Sequence, residues 1–244
     1  MKQNPYDDPT FFTSYSQMAR STGGLDAAGE WPAFRALLPD LRGARVLDLG
    51  CGYGWHCRYA REQGAQSVVG VDLSEKMIAR AREMTSDSAI AYRVAAIEDV
   101  TCAAGEFDVV ISSLALHYVE RFDLVCHTVH HDLRTGGAFV FSVEHPIFTA
   151  RGAQDWHYGV QGERLHWPVD HYLEEGPRQT RFLDHDVVKY HRTLATYVNT
   201  LLDASFTIER LSEPTPSREL LEAHPNWRDE TRRPMFLLLA AQKR

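Results

Sequence analysis

The chain of 244 residues is poor in the features that announce a membrane, extracellular or polyanion-binding protein. It has four cysteines, no block of Lys or Arg, and no run of 18 apolar residues. Without such a run there is no candidate membrane-spanning helix. Basic side chains number 26 against 33 acidic ones, and the formal charge of −7 argues against a surface built to lie along nucleic acid or anionic lipid. Cys51, Cys57, Cys102 and Cys126 form no C-x-x-C pair and read as buried thiols, so a reducing compartment is expected. The opening MKQNPYDDPT holds charge and proline where a secretory signal needs an apolar run, which predicts a soluble cytoplasmic protein. Neither nucleic acid nor membrane is expected as a partner; small neutral or cationic molecules fit better.

What is present is a regular alternation. Asp8-Pro9 reads as a helix cap and first-turn proline, with Phe12, Tyr15, Met18 and Ala19 following at helical spacing, and a second helix is predicted over Ala27 to Leu38. From Ala44 short apolar runs alternate with amphipathic stretches: ARVLDLG, WHCRYAREQG, SVVGVD, SEKMIARAREM, AIAYRVA, FDVVISS, a helix from about Glu120 to Leu133, then AFVFSVE. Strands separated by helices of this length form a parallel sheet covered on both faces, the α/β class. Gly64 and Gly136-Gly137 stand where helices should end. Residues 145 to 192 break the rhythm with bulky aromatics in no steady period and are expected as an irregular insertion rather than a separate domain. Regularity returns with a helix over about Thr193 to Ala204 and the strands FTIERLSE and PMFLLLAAQ. One domain over 1–244 is predicted: an N-terminal helical cap (1–43), a ligand-binding core (44–144), the insertion (145–192) and a closing helix with a strand pair (193–244).

Val46 to Gly54, VLDLGCGYG, is a buried strand running into a glycine turn and a helix. Glycine lets backbone approach a ligand closely, and the helix start supplies free N–H groups. Asp72 ends the next strand, 22 residues after Gly50, where a carboxylate can accept both hydroxyls of a ribose. A dinucleotide fold wants glycine at the sixth position of the turn, but Trp55 stands there. Asp48, two residues before the first glycine, would repel a pyrophosphate and could hold an ammonium group. These two residues count against the rival reading, a nicotinamide-dependent oxidoreductase.

The series VLDLGCGYG, VVGVDLSEKMI, FDVVISSLALHYV and LRTGGAFVFS resembles the class I S-adenosylmethionine-dependent methyltransferases in order and approximate spacing over roughly residues 40 to 145. The resemblance implies a Rossmann-like seven-stranded sheet, mostly parallel, with the last strand inserted antiparallel. It implies that Asp48, Gly50 and Gly52 hold the methionyl part of S-adenosyl-L-methionine, with Cys51 contributing backbone, and that Asp72 takes the ribose. Leu73 and Met77 would lie on the adenine, Ser112 and Ser113 near the sulfonium, and Tyr15 and Arg20 over the cofactor carboxylate. Family members often carry Asp after the third strand for the adenine amino group; this chain has Ala96, so Glu98 or backbone near Ile97 takes that part. The segment SSLALH replaces the N-P-P-Y type, which disfavours DNA-adenine and protein-glutamine methylation.

The expected reaction is in-line transfer of the methyl group to O or N of a small organic molecule, leaving S-adenosyl-L-homocysteine, with alignment supplying most of the rate. A catalytically silent cofactor-binding subunit is the alternative from another class. His117, just past the fourth strand, is the first candidate base, paired with Tyr15; His145, at the end of the fifth strand, is the second. His127, His130 and His131 have metal-compatible spacing but lie at a helix C-terminus, where imidazolium suits the dipole, so no metal is expected. Six of the 12 histidines (His145, His157, His166, His171, His185 and His191) fall within 145–192, beside Trp156, Trp167, Tyr158, Tyr172 and Tyr190. Such a set suits a lid over a flat or cationic acceptor. The sequence leaves monomer and homodimer equally open.

Overall fold

The computed structural model describes residues 3–216, 218–223 and 225–244. Along the chain, the 3-10 turn Pro5–Asp7 precedes α1 (Pro9–Ser16), α2 (Ala19–Thr22), a second 3-10 turn (Gly24–Ala27) and α3 (Trp31–Leu37). The alternating part comprises β1 (Arg45–Leu49), α4 (Trp55–Glu62), β2 (Ser67–Asp72), α5 (Glu75–Glu83), β3 (Ile90–Val94), β4 (Phe107–Ser113), α6 (Phe122–Asp132) and β5 (Leu133–Glu144). The insertion holds α7 (Pro146–Thr149) and two hairpins, β6 (His157–Tyr158) with β7 (Arg164–His166), and β8 (Gly176–Phe182) with β9 (His185–His191). The chain closes with α8 (Leu194–Asp203), β10 (Phe206–Ser212), α9 (Arg218–Ala223) and β11 (Phe236–Lys243).

The main sheet has seven strands in the order β10-β11-β5-β4-β1-β2-β3. Only β11 runs against the others, pairing antiparallel with both β5 and β10, so the expected Rossmann-like topology is present. Period-two alternation divides the core. Leu47, Leu49, Phe139 and Phe141 pack toward Val125, Val129, Tyr197 and Leu201 of α6 and α8. Val46, Val140 and Leu238 pack toward Phe34, Cys57, Ala60 and Ile78 of α3, α4 and α5. Near-continuous apolar strands are what a sheet covered on both faces requires. Strand order reverses between β1 and β4, and the carboxyl ends of those two strands open a crevice there.

Three local expectations change. The N-terminal helix breaks after Ser16, so Tyr15 and Arg20 stand on separate helices, although the Asp8 cap is present: its carboxylate accepts the N–H groups of Thr10 (2.8 Å) and Phe11 (3.0 Å). The second helix starts only at Trp31, next to Pro32 in its first turn, because 24–27 fold as a 3-10 turn. Gly136-Gly137 do not cap a helix. They lie inside β5, where the register against β4 slips, and side-chain bulk at Gly137 would press on the carbonyl of Arg134.

Gly54 shows how tightly the turn before α4 is built. It has φ 72°, and a side chain there would collide with the Tyr92 hydroxyl. Gly54→Ala is expected to destabilise the protein by about 1–3 kcal/mol in denaturant melts, through backbone strain and displacement of Tyr92; an unchanged midpoint would contradict this packing.

Candidate active site

Two adjoining cavities, of about 510 and 460 Å³, lie over the crevice. They share Tyr6, Gly50, Asp72, Ala115 and Tyr118, so the pair reads as one cleft bent at Asp72. Asp72 reaches this bend because β2 ends there. Its Oδ2 accepts the Gly52 N–H at 2.9 Å and its Oδ1 the Ser74 N–H at 2.9 Å, leaving one lone pair on each oxygen. Burial raises its pKa against those bonds. Gly52, at φ 51°, has nothing within 4 Å of where a Cβ would be, so its face is open. A free glycine face, a doubly anchored carboxylate and the start of α4 form a cradle that accommodates a ribose with its flanking chain.

The smaller cavity is lined by Leu73, Ala96, Ile97 and Glu98, as expected for an adenine slot. Met77 lines the larger one instead, together with Tyr15, Arg20, Cys51, Ser113 and His117. Arg20 bonds to the buried Glu30 carboxylate through one terminal nitrogen, which leaves donors for a ligand carboxylate. Tyr6 was not singled out from sequence. It is brought in by the Pro5–Asp7 turn, which Asp7 ties to the start of α5 by accepting from Ser74 Oγ (2.5 Å) and the Lys76 N–H (3.1 Å).

Three residues expected in the site are not among those lining it. Ser112 is turned into the sheet by the strand period and donates to the Leu49 carbonyl at 2.8 Å; only its neighbour Ser113 faces the cleft. His145 is a helix cap: Nδ1 accepts the Ile147 N–H at 3.0 Å, while Nε2 pairs with Glu213 at 2.7 Å. Asp48 lies beneath the turn, where its Oδ2 accepts from Cys57 Sγ at 3.2 Å and its Oδ1 has no partner. Of the metal-spaced histidines, His130 meets the Phe206 ring edge-on and His131 bonds to Asp132. His117 is buried on the cleft wall, its Nδ1 accepting the Glu144 N–H at 3.4 Å. Burial pushes its pKa down to about 4, against the pull of the Glu144 carboxylate, so the ring is neutral. The lone pair on Nδ1 being taken, the ring proton sits on Nε2 and His117 is a hydrogen-bond donor.

Burial pushes the Asp48 carboxyl up to about 7, offset in part by the Cys57 thiol. A folded-state pKa above the unfolded value means that the fold is favoured most at low pH, and this contribution is lost as pH rises from about 4 to about 7, with a cost on the order of 4 kcal/mol above that. Asp48→Asn should therefore match the wild-type melting temperature near pH 4 and exceed it above pH 7; a difference constant with pH would contradict the assignment.

Comparison with known proteins bears directly on this cleft. Residues 47–141 match the family described as "Methyltransferase domain". A solved S-adenosylmethionine-dependent methyltransferase of Mesorhizobium loti is 49% identical, with TM-score 0.85, over 90% of this chain and 100% of that one. A Listeria monocytogenes structure assigned to the same class is 50% identical, with TM-score 0.86, over 91% and 99%. A malonyl-[acyl-carrier protein] O-methyltransferase of Enterobacter lignolyticus is 39% identical over 45% of this chain and 43% of that enzyme. The cradle at Gly52 and Asp72 fits S-adenosylmethionine, which supplies an electrophilic methyl group when bound. Asp72→Ala should weaken S-adenosylhomocysteine about 10–100-fold in titration calorimetry, the worth of two charge-assisted bonds; undiminished affinity would remove Asp72 from the site. Sequence, topology and cleft agree that the chain belongs to the S-adenosylmethionine-dependent methyltransferases.

Proposed function

We propose that the protein transfers a methyl group from S-adenosylmethionine to an oxygen or nitrogen of a small organic molecule in the cytoplasm, oxygen being favoured. Residues 3–30 and 145–192 form the cover of the site. Asp72 holds the ribose, Leu73 with Ala96, Ile97 and Glu98 the adenine, Arg20 and Tyr15 the carboxylate end, and Gly50 to Gly52 the chain between them. Ser113 and Leu114 stand where the sulfonium meets the acceptor.

The observation that carries this reading is the shape of the larger cavity. Beyond Ser113 and Leu114 it continues under the insertion, walled by Glu144, Phe148, Gln154, Phe182, Lys189 and Phe236. A walled space of about 510 Å³, part of which belongs to the cofactor, suits a small molecule rather than a polymer strand. The name of the Enterobacter relative, an O-methyltransferase, supports oxygen as the acceptor atom. His117 contributes as a neutral donor and Tyr15 as a wall, and in-line alignment supplies the rate.

Incubation with methyl-tritiated S-adenosylmethionine and a fractionated bacterial extract tests the proposal. Label should enter the fraction below about 1 kDa, the range of ligands such pockets take; label confined to macromolecules would refute it. Because His117 is neutral well above about pH 4, the rate should show no histidine ionisation between about pH 5.5 and 8.

A further inference from the structure

The insertion brings a buried ion pair to the acceptor side of the cavity. Lys189, 2% exposed, donates from Nζ to Glu144 Oε1 at 2.6 Å and to Gln154 Oε1 at 3.0 Å. Gln154 donates from Nε2 to Glu144 Oε2 at 2.7 Å, and its Oε1 also accepts from Thr180 Oγ1 at 2.9 Å. With both lone pairs of its carbonyl filled, the amide has one orientation, and its NH₂ must face Glu144. The carboxylate is therefore held from two sides by groups that hold one another. Lys189 keeps one N–H, Gln154 one N–H, and each Glu144 oxygen one lone pair, and all three residues line the cavity.

A buried pair of this kind is a poor way to stabilise a fold, since apolar residues of the same volume do as well or better. Its place on the wall next to His117 points to recognition. We infer that the Glu144 carboxylate, not the His117 imidazole, takes the hydrogen bond of the acceptor's reacting O–H or N–H, with Lys189 and Gln154 as its positioning residues. This rests on the small-molecule reading above. His117 cannot fill that role while its Nδ1 accepts from the Glu144 backbone. The wall then offers one anionic acceptor beside three donors, from Lys189, Gln154 and His117. The complementary acceptor is a flat molecule whose O–H or N–H stands next to a carbonyl-type oxygen, with Phe148, Phe182 and Phe236 along its apolar faces. In transfer to a hydroxyl, the O–C bond forms as the C–S bond breaks with its electron pair going to sulfur. The hydroxyl proton passes to Glu144 and from there to solvent.

The groups facing the carboxylate are Lys189 from β9, His117 from the 116–118 turn, and the phenols of Tyr118 and Tyr197. Burial alone would raise the Glu144 pKa, but His117, Lys189 and Gln154 together hold it below the ordinary carboxylate range. The test is the rate of label transfer into the sub-1-kDa extract fraction, with S-adenosylhomocysteine affinity measured on each variant. Glu144→Gln is expected to lower the rate about 100-fold, within the range for a lost proton acceptor, while binding S-adenosylhomocysteine within about threefold of wild type. Gln154→Ala, which leaves both charges in place, should lower it about tenfold. Lys189→Met should move the acid limb of the pH–rate profile upward, and the Glu144 ¹³C carboxyl titration should move with it. Salicylamide, with its hydroxyl beside its carbonyl, should inhibit transfer more strongly than 4-hydroxybenzamide. Glu144→Gln or Gln154→Ala retaining the wild-type rate, an unmoved acid limb, or equal inhibition by the two amides would overturn the inference. Wild-type transfer itself tests the function; the ratio of variant to wild type tests Glu144.

Discussion

The site depends on the parting of β1 and β4. Two parallel strands that stay hydrogen-bonded along their length, yet send their chains to opposite faces of the sheet, cannot fill the space beyond their carboxyl ends. Ser112 strengthens this seam by bonding to the Leu49 carbonyl, and Asp72 closes its neighbour edge by accepting the Gly52 N–H. The cofactor cradle is what remains when those constraints are met. Among its polar groups, the Asp72 carboxylate is held in place by the Gly52 and Ser74 N–H groups.

The acceptor side is built by a different principle. The main sheet contributes Glu144 at the end of β5 and Phe236 at the start of β11; Phe148 of α7, Gln154 and the β8–β9 hairpin supply the rest, folded back over the carboxyl edge. The hairpin is fixed to the N-terminal segment through the Gln3 side chain, which bonds to the backbone of Val188, and through Phe11, whose ring meets Phe182 and His185 edge-on. The two covers of the cleft are thus tied to each other as well as to the sheet. At the cleft Arg20 is paired with Glu30 and Lys189 with Glu144, while Asp72 and Glu98 add negative charge on the side proposed for the cofactor.

How much of this was legible follows from distance along the chain. The strand–glycine turn–helix, the position of Asp72 at the end of β2 and the Asp8 cap are written in local patterns. The seven-stranded sheet and its inserted antiparallel strand come with the family resemblance, while the strand order is visible only in the fold. Ser112 was misplaced because two adjacent serines on a strand cannot both face a cleft, and only pairing with β1 decides which does. His145 was misplaced because its cap at Ile147 and its bond to Glu213 appear only once the insertion and β10 meet. Lys189 and Glu144 are 45 residues apart, and nothing local joins them. A signal did exist: Val187, Lys189 and His191 share the buried face of an alternating strand, and a lysine at a buried register needs a partner.

The central claim is that one cleft holds the cofactor at Asp72 and aims its sulfur at the wall formed by His117, Glu144 and Lys189. The most direct measurement is a crystal structure of the protein with S-adenosylhomocysteine. The account predicts ribose hydroxyls on Asp72, adenine beside Leu73 and Glu98, and the sulfur turned past Ser113 toward Glu144. Density for the ligand elsewhere, or a sulfur facing away from that wall, would contradict it.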